Sequence, residues 1–145
     1  DMGVLSNTGI VGRVISVSNN YALVKSLLSK DYRVAIQFAK QKTYGSLIWN
    51  NQTTEFVGKL ETIPRHVNAQ IGDTIVTSGY NAVFPEGTIV GTVKEATIND
   101  HQTWYDISVD LTTDFKSLYY VYVVKDPNNP ERKSMEFKRQ EKNER

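Results

Sequence analysis

A chain of 145 residues with 39% hydrophobic and 23% charged side chains has the length and apolar content for one ordinary domain or two very small ones, and is too apolar to belong to the disordered class. Its formal charge of +1 supplies no global field for nucleic acid or anionic lipid, and the absence of cysteine removes thiolate metal sites, disulfides and cysteine nucleophiles together. No run of about 18 apolar residues is present, and no charged-then-apolar signal segment opens the sequence.

In chain order the pattern is that of strands. Gly9 to Val17 is β-branched with Gly12 interrupting it, Ser18-Asn19-Asn20 is a turn cluster, and Tyr21 to Leu28 returns as the second arm of a hairpin. After a turn at Ser29-Lys30-Asp31, Val34, Ile36 and Phe38 alternate with Arg33, Ala35 and Gln37, the two-residue period of a strand with one buried face. Gln41 and Lys42 are polar connection, Tyr44 to Trp49 is a short strand, and Asn50-Asn51-Gln52 is its turn. Phe56 to Ile63 forms the next strand and Pro64 ends it by removing a ladder donor. Arg65 to Gln70 is a polar bridge without periodicity, and a boundary is expected near it. Residues 1–66 then form a first β-barrel-like subdomain, 67–125 a second, with strands free to cross over, and 126–145 a charged tail.

The second half turns on Ile71 to Val93. Its centre, TSGYNAVFPEG from Thr77 to Gly87, threads turn formers (Gly79, Asn81, Pro85, Gly87) with apolar Val83 and Phe84, and both ends run into β-branched segments, so a structured loop between two strands is expected. Gly72-Asp73 marks a turn before the first of these strands, and Gly91 inside the second marks a bulge or a sharp bend. Ile10-Val11-Gly12-Arg13-Val14 aligns with Ile89-Val90-Gly91-Thr92-Val93, and in both a polar turn precedes a returning strand. Duplication and chance recurrence both fit so short a match. Tyr105, Ile107, Val109 and Leu111 alternate with Trp104, Asp106, Ser108 and Asp110; Asp114 is placed to cap a single helical turn through Leu118, and Tyr119 to Val124 reads as a closing strand. Two prolines and dense mixed charge from Asp126 onward read as a solvated tail, with a short helix possible from Pro130 or Glu131.

Val67 to Val93 closely resembles the core signature of the extracytoplasmic β-domain of the MreC family, the rod-shape-determining proteins of bacterial cell elongation. The matching elements are the Gly72-Asp73 turn, Thr77-Ser78-Gly79, Phe84-Pro85-Glu86-Gly87 and Val90-Gly91. Many relatives carry two glycines where this chain has Asn81-Ala82; asparagine tolerates the left-handed region, and Ala82 argues that the second position does not need it. Gly9 to Ile36 resembles the family's opening hairpin and Tyr44 to Trp49 its next strand, so the likeness runs from Val4 to Val124. It implies two small β-barrel-like subdomains side by side. It also implies a missing upstream part: a short cytoplasmic tail, one transmembrane helix and a coiled-coil-forming segment that would dimerise the full-length protein and anchor it on the periplasmic face of the inner membrane. The implied partners are a penicillin-binding transpeptidase, MreD and, across the membrane, MreB.

Other chemistries find little support in the residues. A double-barrel hydrolase of the chymotrypsin type needs serine, imidazole and carboxylate together, and only His66 and His101 are available, one in the polar bridge and one in a hairpin turn. Ser78 lacks the glycine on both sides that keeps a nucleophile accessible, and backbone bonding suits it better. Asp106 and Asp110 share a strand face but are over ~10 Å apart at the usual rise, too far to hold one ion by themselves. A single-stranded nucleic-acid reading could use Trp49, Trp104, Tyr119, Tyr120 and Tyr122, yet basic residues are not gathered among them. The expectation is an all-β, non-catalytic interaction module without metal or cofactor. Tyr80 and Phe84 at the loop tip form its candidate partner surface; the competing reading, which is favoured for Phe84, has that ring plugging the end of its own barrel.

Overall fold

The computed structural model describes residues 2–50, 55–80, 83–125 and 138–139. Period-2 patterning becomes ten strands among them: β1 (Gly3–Leu5), β2 (Ile10–Val17), β3 (Ala22–Ser26), β4 (Val34–Phe38), β5 (Tyr44–Trp49), β6 (Val57–Glu61), β7 (Thr74–Thr77), β8 (Ile89–Thr97), β9 (Asp106–Leu111) and β10 (Tyr122–Val123). Six of them close an antiparallel barrel in the order β4-β5-β6-β9-β8-β7, with Ile36 opposite Thr77 sealing the ring. The other four make an open sheet in the order β10-β1-β2-β3. The all-β, two-unit architecture holds, with one unit closed and the other a sheet.

The sheets divide the chain differently from a cut near residue 66. The barrel takes strands from both sides of that point, and β10 returns from the far end to pair with β1. The reason lies in the bridge. Pro64 pairs with Trp104, the Arg65 amide donates to the Thr103 carbonyl at 2.9 Å, and the Arg65 guanidinium reaches the Asn99 and Gln102 carbonyls. The start of the bridge is therefore sewn onto the β8–β9 hairpin, and Val67 is buried in the main core.

Inward-facing Val34, Ile36, Phe38, Leu47, Leu60, Ile75, Val90, Val93, Ile107 and Val109 fill the barrel, and Ile10, Leu27, Tyr32 and Phe84 join this core from outside it. Burial of each such side chain contributes roughly 1.5–3 kcal/mol. Val4, Val11 and Val14 form a smaller cluster with Val24 and Leu118. Sheet and barrel are joined by polar bonds as well, since the buried Thr113 hydroxyl donates to the Ile10 carbonyl at 2.6 Å. Asp114 heads a hydrogen-bonded turn at Phe115 and Lys116, where its carboxylate accepts the Lys116 N–H at 3.2 Å. Of the expected final strand, Tyr122 and Val123 pair with β1, and the Val124 N–H donates to the Gly3 carbonyl at 2.8 Å. The Asn51-Gln52 part of one turn, Asn81-Ala82 and the tail apart from Lys138 and Arg139 lie outside the described residues.

The short internal match is a structural one. In β2 the pairing shifts around Val11 and again around Ile15; in β8 it shifts around the equivalent Val90 and again around the equivalent Lys94. In each copy the glycine after the first bulge lies so close to the next strand that an added Cβ would collide with a backbone carbonyl, Lys25 for Gly12 and Asp110 for Gly91. Strands β1–β2–β3 thus repeat as β7–β8–β9. Gly91→Ala is expected to force β8 from β9 and to lower stability by about 1–3 kcal/mol, read as a shift of the urea midpoint with the slope unchanged.

Candidate functional site

Loop 78–88 is built on one side chain. Thr77 ends β7 facing the barrel interior, and every polar group it has is used. Its N–H donates to the Thr88 carbonyl (2.8 Å) and its C=O accepts the Gly87 N–H (2.9 Å), while its hydroxyl donates to the Pro85 carbonyl (2.5 Å) and accepts the Thr88 N–H (3.0 Å). Thr88 adds a hydroxyl bond to the same Pro85 carbonyl at 2.9 Å. Gly79 and Gly87 carry φ of 75° and 86°, the left-handed region that lets the chain leave β7 and re-enter β8 without strain. A third positive φ falls at Gly72, in a turn where the Asp73 carboxylate accepts the Gln70 N–H at 2.9 Å.

The loop is held against the outer wall of the barrel. Gln37, buried although it faces outward, donates through Nε2 to Glu86 at 3.2 Å. Ser78 donates its N–H to the Ala35 carbonyl, and its hydroxyl accepts the Tyr80 N–H, the backbone role its sequence setting indicated. The two members of the candidate surface part company. Phe84 is 6% exposed and packs in the main core against β1, where a Cβ on Gly3 would meet its ring; Tyr80 is 74% exposed. Phe84 therefore leaves the candidate surface: burying its ring between sheet and barrel outweighs presenting it to a partner.

Tyr80 stands between two clefts. One, of about 620 Å³, runs along β4 and β5 past Ala35, Tyr44, Gly45 and Ser46. Its neighbour, of about 460 Å³, opens toward the sheet and is lined by Arg13, Asp31, Tyr32 and Arg33. The lining of the first is mostly small residues together with two exposed rings, Tyr44 and Tyr80. Tyr44, Ala35 and Gly45 were read from the sequence as strand residues alone; the alternation does place Ala35 on the outward face, and that was the available signal. In the second cleft the Arg13 guanidinium lies 5.7 Å from the centre of the Tyr32 ring, a cation–π contact. Burial pushes the Tyr32 phenol up to about 12, against a smaller downward pull from Arg13.

His66 and His101 sit exposed in turns, and among the described residues neither imidazole bonds a serine hydroxyl or a carboxylate. No group of three metal-ligating side chains comes together among the described residues, and Asp106 and Asp110 lie exposed along β9. No described helix is long and apolar enough to cross a membrane.

A closed antiparallel barrel with a companion sheet and a locked loop beside two shallow clefts defines an all-β barrel-core module. The model of the family described as rod shape-determining protein MreC, barrel core, matches residues 1–125, and the chain belongs to that family. The cell shape-determining protein MreC of Escherichia coli K12 is 26% identical over 121 residues, covering 83% of this chain and 32% of that protein. MreC of Listeria monocytogenes is 26% identical over 98 residues, covering 66% and 33%. This chain thus spans about a third of the curated relatives it matches. Among solved structures, MreC from Pseudomonas aeruginosa superposes with a TM-score of 0.76 at 24% identity, over 85% of this chain and 78% of that one. A complex between PBP2 and MreC from Helicobacter pylori gives 0.66 at 20% identity, over 84% and 75%. The family is one of shape-determining structural proteins, not of enzymes.

Two outcomes follow from the geometry. Thr77→Val removes both hydroxyl bonds of a buried side chain and is expected to cost about 2–4 kcal/mol, with loss of amide protection at Gly87 and Thr88 in hydrogen exchange. For Tyr32, a folded pKa above the unfolded one means that the stabilisation is complete below pH 10 and fades as pH rises toward 12. Ultraviolet titration should show a phenol ionising near pH 12 that Tyr32→Phe abolishes.

Proposed function

We propose that this chain is the extracytoplasmic β-module of a membrane-anchored scaffold for bacterial cell elongation, acting on the periplasmic face of the inner membrane. It keeps the cell rod-shaped by holding peptidoglycan synthases through protein–protein contact. A penicillin-binding transpeptidase is its direct partner, MreD and, through the membrane, MreB are its further ones, and the full-length protein self-associates as a dimer. The carrying observation is family membership over residues 1–125, and the fold shared with the MreC chain of the PBP2 complex supports the transpeptidase as partner. Physically, a rigid barrel with its loop pinned at Thr77 offers Tyr80 in a fixed place, so a partner ring or aliphatic chain could settle in the flanking clefts without ordering a mobile loop first. Tyr80, not Phe84, is the loop residue assigned to contact.

Depletion of the full-length protein in its own cell is expected to give rounding and swelling, rescued by the wild-type gene. Unchanged rods on depletion would remove the elongation reading. A Tyr80→Asp allele is expected to bind the transpeptidase at least tenfold more weakly, in the range of an aromatic interface anchor, with an unchanged thermal midpoint. Unaltered affinity would take Tyr80 out of the interface.

A further inference from the structure

The matched bulges give every residue of β3 a counterpart in β9: Ala22 corresponds to Ile107, Leu23 to Ser108, Val24 to Val109 and Lys25 to Asp110. In the barrel the outer edge of β9 is filled, because β6 pairs along it antiparallel from Val57 opposite Asp110 to Leu60 opposite Ile107. The corresponding edge of β3 is open. β3 ends its sheet, and among the described residues no strand pairs with its far side. Such an edge presents a row of N–H and C=O groups to any strand that fits. The hairpin carrying it stands clear of the body: residues 15–23 are all exposed, Tyr21 at 82% and Leu23 at 61%, together with Ile15 and Val17.

The one charged residue of β3 is Lys25. Lys25 lies directly opposite Arg13 across β2 and β3, and the Arg13 guanidinium is turned to the Tyr32 ring, so Lys25 is the cation β3 itself carries. Among the described residues Lys25 has no ion pair. We propose that Ala22 to Lys25 of β3 accepts an antiparallel strand from a partner protein, with an acidic side chain of that strand set against Lys25. Antiparallel direction fixes the order of the incoming residues: the acid opposite Lys25, one residue opposite Val24, then an apolar residue against Leu23. A second copy fits poorly, since the other open edge of the sheet, β10, is two residues long and carries no acid. A lipid surface fits poorly as well, because polar Ser18-Asn19-Asn20 at the hairpin tip would have to enter first. This deepens the scaffold reading and rests on it only in taking the partner to be a protein.

The test uses the 145-residue chain and a synthetic capped peptide, Thr-Val-Glu-Val-Leu-Val-Thr, at millimolar concentration. Amide hydrogen exchange is expected to slow at alternate positions across Ala22 to Ser26. Replacing the glutamate by lysine should weaken binding about two- to fivefold, as for an exposed ion pair, and Lys25→Glu should invert that preference. Methylating the peptide's backbone on the amides that face β3 should abolish protection, whereas methylating the alternate set should leave it. Absence of protection on β3, protection confined to β10, or an unchanged glutamate-over-lysine ranking in Lys25→Glu would each overturn the proposal. Depletion phenotypes read the whole protein in its cell, so their failure and the failure of this measurement are separable.

Discussion

One threonine sets the shape of the connection between β7 and β8. Thr77 sits at the end of a barrel strand with its methyl and hydroxyl directed inward, and four hydrogen bonds converge on it from Pro85, Gly87 and Thr88. Buried polar groups are costly unless satisfied, and here satisfaction requires that the chain leave β7 and come back within reach of the same residue. The positive φ values at Gly79 and Gly87, the proline at 85 and the outward-facing Gln37 bonded to Glu86 are consequences of that requirement. The placement of Phe84 under β1 is another, because a loop tied at its base can swing its apolar residue only toward the sheet.

The same local device, used twice, ends in two different structures. Both copies of the bulge–glycine unit bend a long strand and press it against the next one. In the second copy the flanks of the unit find β4 and β6, and a ring closes; in the first they find β10 on one side and nothing on the other among the described residues. Curvature is therefore a property of the repeat, and closure is a property of what the rest of the chain supplies. The β4–β6 segment is what separates barrel from sheet.

Much of the strand content was legible because alternation and turn residues are local. Val34, Ile36 and Phe38 announced β4, and Tyr44 to Trp49 matched β5 residue for residue. What the sequence concealed was pairing. Nothing in Arg65 to Gln70 signals that its backbone and the Arg65 guanidinium attach to residues 99 to 103, because that bond set depends on a hairpin formed later in the chain. The three-residue β1 escaped notice because it is too short to show a period, and its burial depends on Gly3 admitting Phe84. At the loop, the residue types pointed to a structured connection, and the more apolar ring, Phe84, was favoured for burial, as it is found. What spacing could not give is the burying surface, because the ring packs against β1 from the far end of the chain.

Ring closure through β6 and β9 carries an implication for how the chain is made. The outer edge of β6 is paired by residues near 110, so for roughly fifty residues of synthesis it waits without its neighbour. During that interval the β6-β5-β4 ribbon can grow only on its β4 side, through β7 and β8, so the ring stays open at β6 with inner side chains such as Leu47 and Leu60 uncovered. Slow, long-range assembly of this kind is where β proteins stick to one another, and the nascent polypeptide is at its most vulnerable just before Leu111 emerges.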